Sequence, residues 1–409
     1  MPRLLQIHAE GNAGSGGGIA ENIGKLAMKN GWESYIAIGR NIRKSESKLV
    51  IIGNLFSQFC HLILSRLFDM HGFGSKYATK KLIRKIDEIR PDIIHLHSLH
   101  GYYINIAILF NHLKELQIPV IWTFHDCWPF TGHCSHFYDN GCMKWKSVCH
   151  HCPKKKDYPA SWLFDRSRQN YFLKKKLFTS VPNMVIVSVS NWLNNLVEMS
   201  FFKGMNTQVI HNGIDIELFS PTGKENSIKS KYKIDNCFLI LGVAYPWAKG
   251  KGLYDIFELS NHLKPDEKII LVGLSDKQLK KLPANIIGVG KIGMGKHDHK
   301  HPLVDFYDAA DVFLNLSTQE TFGLTTVEAM ACGTPTIVYN ATACPEIIDS
   351  DTGIVVGKND IKGVLEAIST IKRNGKMYYS HQCRNRVLTK FNQTERFQEY
   401  LDLYKKSIT

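Results

Sequence analysis

Short, almost wholly apolar runs alternate along this chain with longer stretches in which apolar residues recur every three or four positions. The run "RLLQIHA" near the N-terminus predicts a buried parallel strand. A glycine-rich segment follows, and "IAENIGKLAMKNG" then has helical spacing and meets a stop at Gly31. "ESYIAIG" predicts a second strand. "YATKKLIRKIDEIRP" predicts an amphipathic helix that ends at Pro91. "DIIHLHS", "PVIWTFHD" and "MVIVSVS" predict three more strands. The pattern restarts after Asn236 with "CFLILGVA", "KIILVG", "NIIGVGKI", "ADVFLNLS" and "TPTIVYN", again separated by helical stretches. Strands that alternate with helices predict parallel sheets covered on both faces. Residues 211–236 carry turn residues and charges, as a connection between domains does. The last segment, "NQTERFQEYLDLYKKSIT", predicts an amphipathic helix with no strand after it.

A length of 409 residues exceeds one simple core and suits two such α/β domains. The longest uncharged runs, Leu49–Ser65 and Ile93–Leu113, contain Asn, Ser, Gln, Gly or His and are too polar to cross a bilayer. The N-terminus lacks the long apolar core and cleavage site of a signal peptide, so a cytoplasmic protein is expected. The net charge of +14 is uneven. Residues 1–216 hold 26 Lys and Arg against 15 Asp and Glu, and the remainder hold 25 against 22. A basic half suits an anionic partner such as lipid headgroups, phosphorylated substrates or nucleic acid; a solvated face of a basic protein is the plainer reading. The apolar, aromatic "KLVIIGNLFSQFCHLILSRLF", with "KKLIRK" soon after it, reads either as a core-packing helix or as a segment resting on an anionic bilayer. The aromatic sheet motifs of RNA-binding domains are missing, which argues against nucleic acid.

The most specific chemical signal is "NLSTQETFGLTTVEAMACGTPTIVYN". A strand ends near Ser317, a loop holds Glu320, Thr321, Phe322 and Gly323, and a helix is expected from about Leu324 to Cys332. A helix N-terminus presents free N–H groups and partial positive charge, so this loop is a candidate anion site. Glu320 lies just before the helix and Glu328 in its second turn, and carboxylates accept hydrogen bonds from paired hydroxyls. Hydroxyls on both sides of a phosphate describe a nucleotide-sugar. The competing reading is one exposed helix Glu plus one favoured by the helix dipole. "GNAGSGGG" does not have the G-x-G-x-x-G order of a dinucleotide fingerprint. His125 ends a predicted strand, where α/β sheets line their ligand crevices; a backbone-satisfied His is the alternative. Five of the ten Cys fall between Cys127 and Cys152. The spacing of Cys134, Cys142, Cys149 and Cys152 suits a structural zinc in a long loop, with free thiols or a disulfide as the alternatives.

"ETFGLTTVEAMACGTPTI", with Glu320 and Glu328 eight apart, resembles the paired-glutamate motif of the retaining glycosyltransferases of family 4, which have the GT-B fold. "GSGGGIAENIGKLAMKNG", "HNGIDIELFSP", "WAKGKGLYDIFELSNHL" and "HPLVDFYDAADVFLNLS" are similar to other segments of that family, in its order. The middle of the chain resembles a bacterial branch that builds capsule, O-antigen or exopolysaccharide repeat units. The resemblance implies two Rossmann-like α/β domains with parallel sheets facing across a cleft. They would comprise an acceptor-side domain (1–216), a nucleotide-sugar domain (217–390) and a C-terminal helix (391–409) returning to the first. It implies that Glu320 binds donor-sugar hydroxyls, that Thr321, Phe322, Gly323 and Leu324 lie at the donor, and that Glu328 holds the ribose. Lys251 would neutralise the diphosphate leaving group. The family often has an Arg five residues before this Lys; Pro246 stands there, and Lys249 is the substitute. His125 would lie near the donor sugar, and Gly16, Gly17 and Gly18 would bring amides to the donor diphosphate. The implied reaction is metal-independent retaining transfer of a hexose from a UDP- or GDP-sugar, with no obligatory cofactor. The acceptor would be a glycan on polyprenyl diphosphate, at the inner face of the cytoplasmic membrane. A nucleotide-sugar epimerase or a phosphorylase on the same fold, and less favourably a nucleic-acid-binding protein, are the rival classes.

Overall fold

The computed structural model describes residues 1–12, 14–223, 225–293 and 302–408. The chain divides into two compact units, Met1–His211 with Arg396–Thr409, and Asn212–Glu395. Each is a parallel α/β layer structure.

The first unit holds strands β1 (Arg3–Glu10), β2 (Glu33–Arg40), β3 (Lys48–Ile51), β4 (Ile93–Leu96), β5 (Val120–Phe124), β6 (Met184–Ser188) and β7 (Asn206–Val209). They form one sheet in the order β3-β2-β1-β4-β5-β6-β7, every pair parallel. β4, β5 and β6 are buried along their whole length, which is why they read as continuous apolar runs rather than alternating ones. Helix α1 (Gly14–Lys29) follows β1, and α2 (Leu55–Phe68) follows β3. Ile19 and Ile23 of α1 pack with Leu4, Ile93, Ile121 and Val187 of the sheet. Phe397, Tyr400, Leu401 and Tyr404 of the C-terminal helix Gln393–Ile408 join the same core. Their helical spacing makes one apolar stripe, and burying it there fixes the end of the chain to this unit.

The second unit holds β8 (Phe238–Val243), β9 (Glu267–Leu274), β10 (Ile286–Gly290), β11 (Val312–Asn315), β12 (Thr336–Tyr339) and β13 (Gly353–Val356). Their order is β10-β9-β8-β11-β12-β13, again all parallel. Ile214 belongs to this unit because its N–H bonds Phe391 O at 2.9 Å and its carbonyl accepts from Gln393 N at 3.0 Å. The stretch read as a connection is not wholly irregular: it contains the short helix Glu225–Lys231. β3, β7 and β13 have no counterpart among the strands expected from the sequence. Each is four residues long and lies at a sheet edge; "NTQV" of β7 carries no apolar run, whereas "KLVI" of β3 opens the segment read as a core-packing or bilayer helix, whose helical part is Leu55–Phe68.

Candidate active site

In the second unit, β8 and β11 are neighbours, and their C-terminal ends deliver two loops to one place. In an open parallel sheet the loops after the strands lie along one edge, where ligands are held. The loop after β8 ends in a single 3-10 turn, Lys249–Lys251, closed by Gly252 at φ 75°. The loop after β11 carries Glu320 and leads into the helix Leu324–Ala331. Thr318 N–H donates to Gly250 O at 2.9 Å and ties the two loops together. Lys251 Nζ then reaches Glu320 Oε2 at 2.5 Å, across 69 residues of sequence. Burial opposes the Lys251 charge, but Glu320 outweighs it and holds the ammonium pKa above its ordinary 10.5. About a third of the Lys251 side chain stays exposed, 32% against 18% for Glu320.

The Glu320 loop is itself braced. Its N–H donates to Thr342 Oγ1 at 3.1 Å, and its carbonyl accepts from Ala343 N at 3.1 Å. Phe322 is buried and meets the Phe391 ring at 5.7 Å. Gly323 caps the following helix at φ 111° and, being glycine, offers no side-chain cap to its first turn. The amides at Leu324 therefore keep the anion-binding character of an uncapped helix N-terminus. Glu328 sits one turn further on and accepts from Tyr307 Oη at 2.7 Å. Burial raises its pKa to about 7, against the opposing effect of that hydrogen bond. Lys249 lies on the same turn as Lys251 but is exposed.

In the first unit, β1, β4 and β5 are adjacent, so their C-terminal ends bring His8, His97 and His125 together. Ring centroids are 5.7 Å apart for His8 and His97, and 5.5 Å for His97 and His125. Burial lowers the pKa of His8 to about 4 and that of His125 to about 3, so both rings are neutral at physiological pH. Asp126, next to His125, accepts from His100 Nε2 at 2.6 Å. Burial would raise its pKa, but His100 outweighs that and brings it to about 2. His8 and His97 were not among the residues singled out from the sequence. Their signal was there: "LLQIHA" and "IIHLHS" put polar side chains at alternate positions of otherwise apolar strands, so they share one sheet face. Buried polar groups of this kind need one another as partners.

The glycine loop opens α1. Gly16 lies in the first turn of that helix, where N–H groups lack intrahelical acceptors, whereas Gly18 lies beyond it and its amide belongs to the helix ladder. A Cβ on Gly16 would stand 2.7 Å from His8 Nε2, and one on Gly17 would stand 3.0 Å from Glu10 O. A Cβ on Gly18 meets nothing within 4 Å. Gly18→Ala is therefore expected to leave the melting temperature unchanged or raise it, by up to about 1 kcal/mol of helix propensity. Gly17→Ala lowers it. Equal losses in the two variants would refute this reading of the loop.

Cys134, Cys142, Cys149 and Cys152 line one pocket of the long loop after β5. Among the described residues no group of three or more His, Cys, Asp or Glu side chains is arranged to hold a metal ion. The Cys134 thiol hydrogen-bonds Cys152, and Cys149 Sγ accepts from Gly132 N at 3.2 Å. The loop is held by buried side chains. His133 Nδ1 meets Asp69 Oδ1 at 2.6 Å, and Lys174 donates to Trp128 O at 2.8 Å and Thr131 O at 3.1 Å.

Two family models match the chain: Glycosyltransferase Family 4 over residues 57–218 and Glycosyl transferases group 1 over 223–387. WcaC of Escherichia coli K12, whose name assigns it as a colanic acid biosynthesis glycosyl transferase, is 22% identical over 383 residues, 88% of each chain. An Escherichia coli UDP-Gal:alpha-D-GlcNAc-diphosphoundecaprenol alpha-1,3-galactosyltransferase is 26% identical over 220 residues, 49% of this chain and 54% of that protein. The solved structure of Anabaena HepE in complex with UDP-glucose superposes with a TM-score of 0.69 at 14% identity, over 99% of both chains. With both halves matched in order, and two parallel sheets carrying the fold, the chain belongs to the family 4 retaining glycosyltransferases of the GT-B class.

Proposed function

We propose that this enzyme moves a hexose from a nucleoside diphosphate donor to a hydroxyl of a polyprenyl-diphosphate-linked glycan, in the synthesis of a bacterial surface polysaccharide. The observation that carries the reading is the Lys251–Glu320 pair beside an uncapped helix that bears Glu328. Departure of the sugar develops negative charge on the diphosphate and positive charge on the anomeric carbon. Lys251 and the amides at Leu324 answer the first. Glu320 and Glu328 accept hydrogen bonds from sugar and ribose hydroxyls. A UDP-sugar is favoured over a GDP-sugar by the UDP-glucose complex of the structural relative, and a lipid-linked acceptor by the name of the galactosyltransferase relative.

The membrane side of the proposal rests on exposure. No described helix is long and apolar enough to cross a bilayer. α2 nevertheless exposes Leu55, Phe56 and Phe59, and the loop residues Trp162, Leu163 and Phe164 are exposed as well. Phe68 at the end of α2 stacks on Phe164 at 5.6 Å, so the exposed loop packs against the C-terminal end of the same helix. Such a surface on a basic unit suits the interface of an anionic bilayer.

The test is to incubate the enzyme with UDP- and GDP-hexoses and with vesicles that carry polyprenyl-diphosphate sugar. Retention of the anomeric configuration in an extended glycolipid is the expected product. Turnover of nucleotide-sugar that is independent of acceptor would favour the epimerase class instead. A pH series adds a second check. Folding raises the Glu328 carboxyl from 4.5 to about 7. Its contribution to stability is therefore fully present below pH 4.5 and lost as pH rises through about 7. Binding of UDP runs the opposite way if ribose hydroxyls donate to the ionised carboxylate: affinity rises as pH passes from 6 to 8, by about tenfold at most per unit. Glu328→Gln should flatten that slope, and a native enzyme without it would remove Glu328 from the ribose site.

A further inference from the structure

Seven polar side chains cross the buried face of β1, β4 and β5 and meet the C-terminal helix. They are Gln6, His8, His95, His97, Thr123, Tyr400 and Tyr404, all almost inaccessible to solvent. Their hydrogen bonds have a direction that can be worked out from one fixed end. The carbonyl of Ala20 in α1 can only accept. Gln6 Nε2 lies 2.7 Å from it, so the amide NH2 of Gln6 faces Ala20 and its Oε1 faces the other way. Gln6 Oε1 lies 3.0 Å from His97 Nε2, and an amide oxygen can only accept, so the proton of His97 is on Nε2. A neutral His97 then has a bare Nδ1. That atom lies 3.2 Å from His125 Nε2, which must supply the proton between them. The neutral His125 ring is left with its lone pair on Nδ1.

We propose that Gln6 and His97 are positioning residues that lock His125 in the Nε2–H tautomer, which leaves the ring's lone pair on Nδ1. Burial supports the neutrality this requires, since it lowers the pKa of His97 well below the ordinary value and that of His125 to about 3. The consequence is chemical selectivity: a ring in this state can accept from a hydroxyl and repels phosphoryl oxygens. The neighbouring histidines are held as well. His8 Nδ1 lies 2.9 Å from both the N–H and the carbonyl oxygen of Glu10. His95 lies against His97 with centroids 3.9 Å apart and ring planes tilted by 36°, and it is held at both nitrogens, by Tyr404 Oη at 2.5 Å and Thr123 Oγ1 at 2.8 Å. The inference about substrate rests on the proposed role of His125; the tautomer does not.

The experiment labels the histidines of the full chain with ¹⁵N and reads their tautomers from long-range ¹H–¹⁵N correlations at neutral pH without ligand. His97→Gln and His125→Gln assign the signals. The expected result is Nε2–H for both rings. Gln6→Leu removes the acceptor and should release His97 and, with it, His125 from that single state. The accompanying kinetics should show kcat reduced about tenfold or more in Gln6→Leu, since tautomer-setting partners of functional histidines are worth that much. An Nδ1–H ring at His125 in the native enzyme overturns the proposal, whether or not Gln6→Leu folds. So does an unaltered His125 tautomer in folded Gln6→Leu. A native transfer rate in His125→Ala with the tautomer as stated would overturn the catalytic reading of His125 instead.

Discussion

Glu320→Ala should reduce sugar transfer by roughly 10²–10³ in kcat while leaving the fold in place. Two roles are lost together. The carboxylate no longer accepts from donor hydroxyls, and Lys251 loses the partner that holds it at 2.5 Å. A preorganised charge aimed at a leaving group is worth about that factor when removed. Stability should change little. The pair is partly exposed, and ion pairs of that kind contribute about 0–1 kcal/mol. Lys251→Ala should lose a similar factor through the unneutralised diphosphate. Because the two side chains act as one unit, the double variant should be scarcely worse than either single one. Steady-state kinetics on all three, with melting curves beside them, make the check. Near-native turnover in Glu320→Ala, or losses that multiply in the double variant, would break the assignment.

Gly252→Ala is expected to cost stability strongly at the candidate active site. Its φ of 75° lies where L side chains are rarely found, and a Cβ there would stand 2.3 Å from Leu316 O. The obstacle is backbone, so it cannot swing aside. Left-handed strain alone costs about 1–2 kcal/mol, and the clash brings the total to about 3 kcal/mol or more. The closest approach is to β11's loop, so relief must come by moving the Lys251 turn away from Glu320, and transfer should fall with stability. Gly31→Ala is the control: φ is 80° there, but a Cβ meets nothing within 4 Å. Urea unfolding should show Gly31→Ala losing only the conformational part. Equal losses at both positions would mean that the packing between the two loops is not what Gly252 serves.

Periodicity made most of the fold legible. Buried parallel strands are continuous apolar runs, and the stripe Phe397–Tyr400–Leu401–Tyr404 marks a helix that must cover a core somewhere. The short edge strands were not legible, because "NTQV" buries almost nothing that an apolar pattern could register. Motif spacing pointed to Lys251, Glu320 and Glu328 and, by resemblance, to the reaction. It also pointed to the four cysteines that line one pocket of the loop after β5, where no group of three or more ligands is arranged to hold a metal ion among the described residues.

By itself, then, the sequence determined the alternation of strand and helix, the glycine turns and the family, all of which depend on residues close together along the chain. Tertiary structure alone decided which distant residues became partners. Lys251 meets Glu320 because β8 and β11 are neighbours. Gln6, His97 and His125 form one directed chain because β1, β4 and β5 are adjacent and parallel. Strand order sets those meetings, and it is chosen by how whole faces pack, a property that no local stretch of sequence carries.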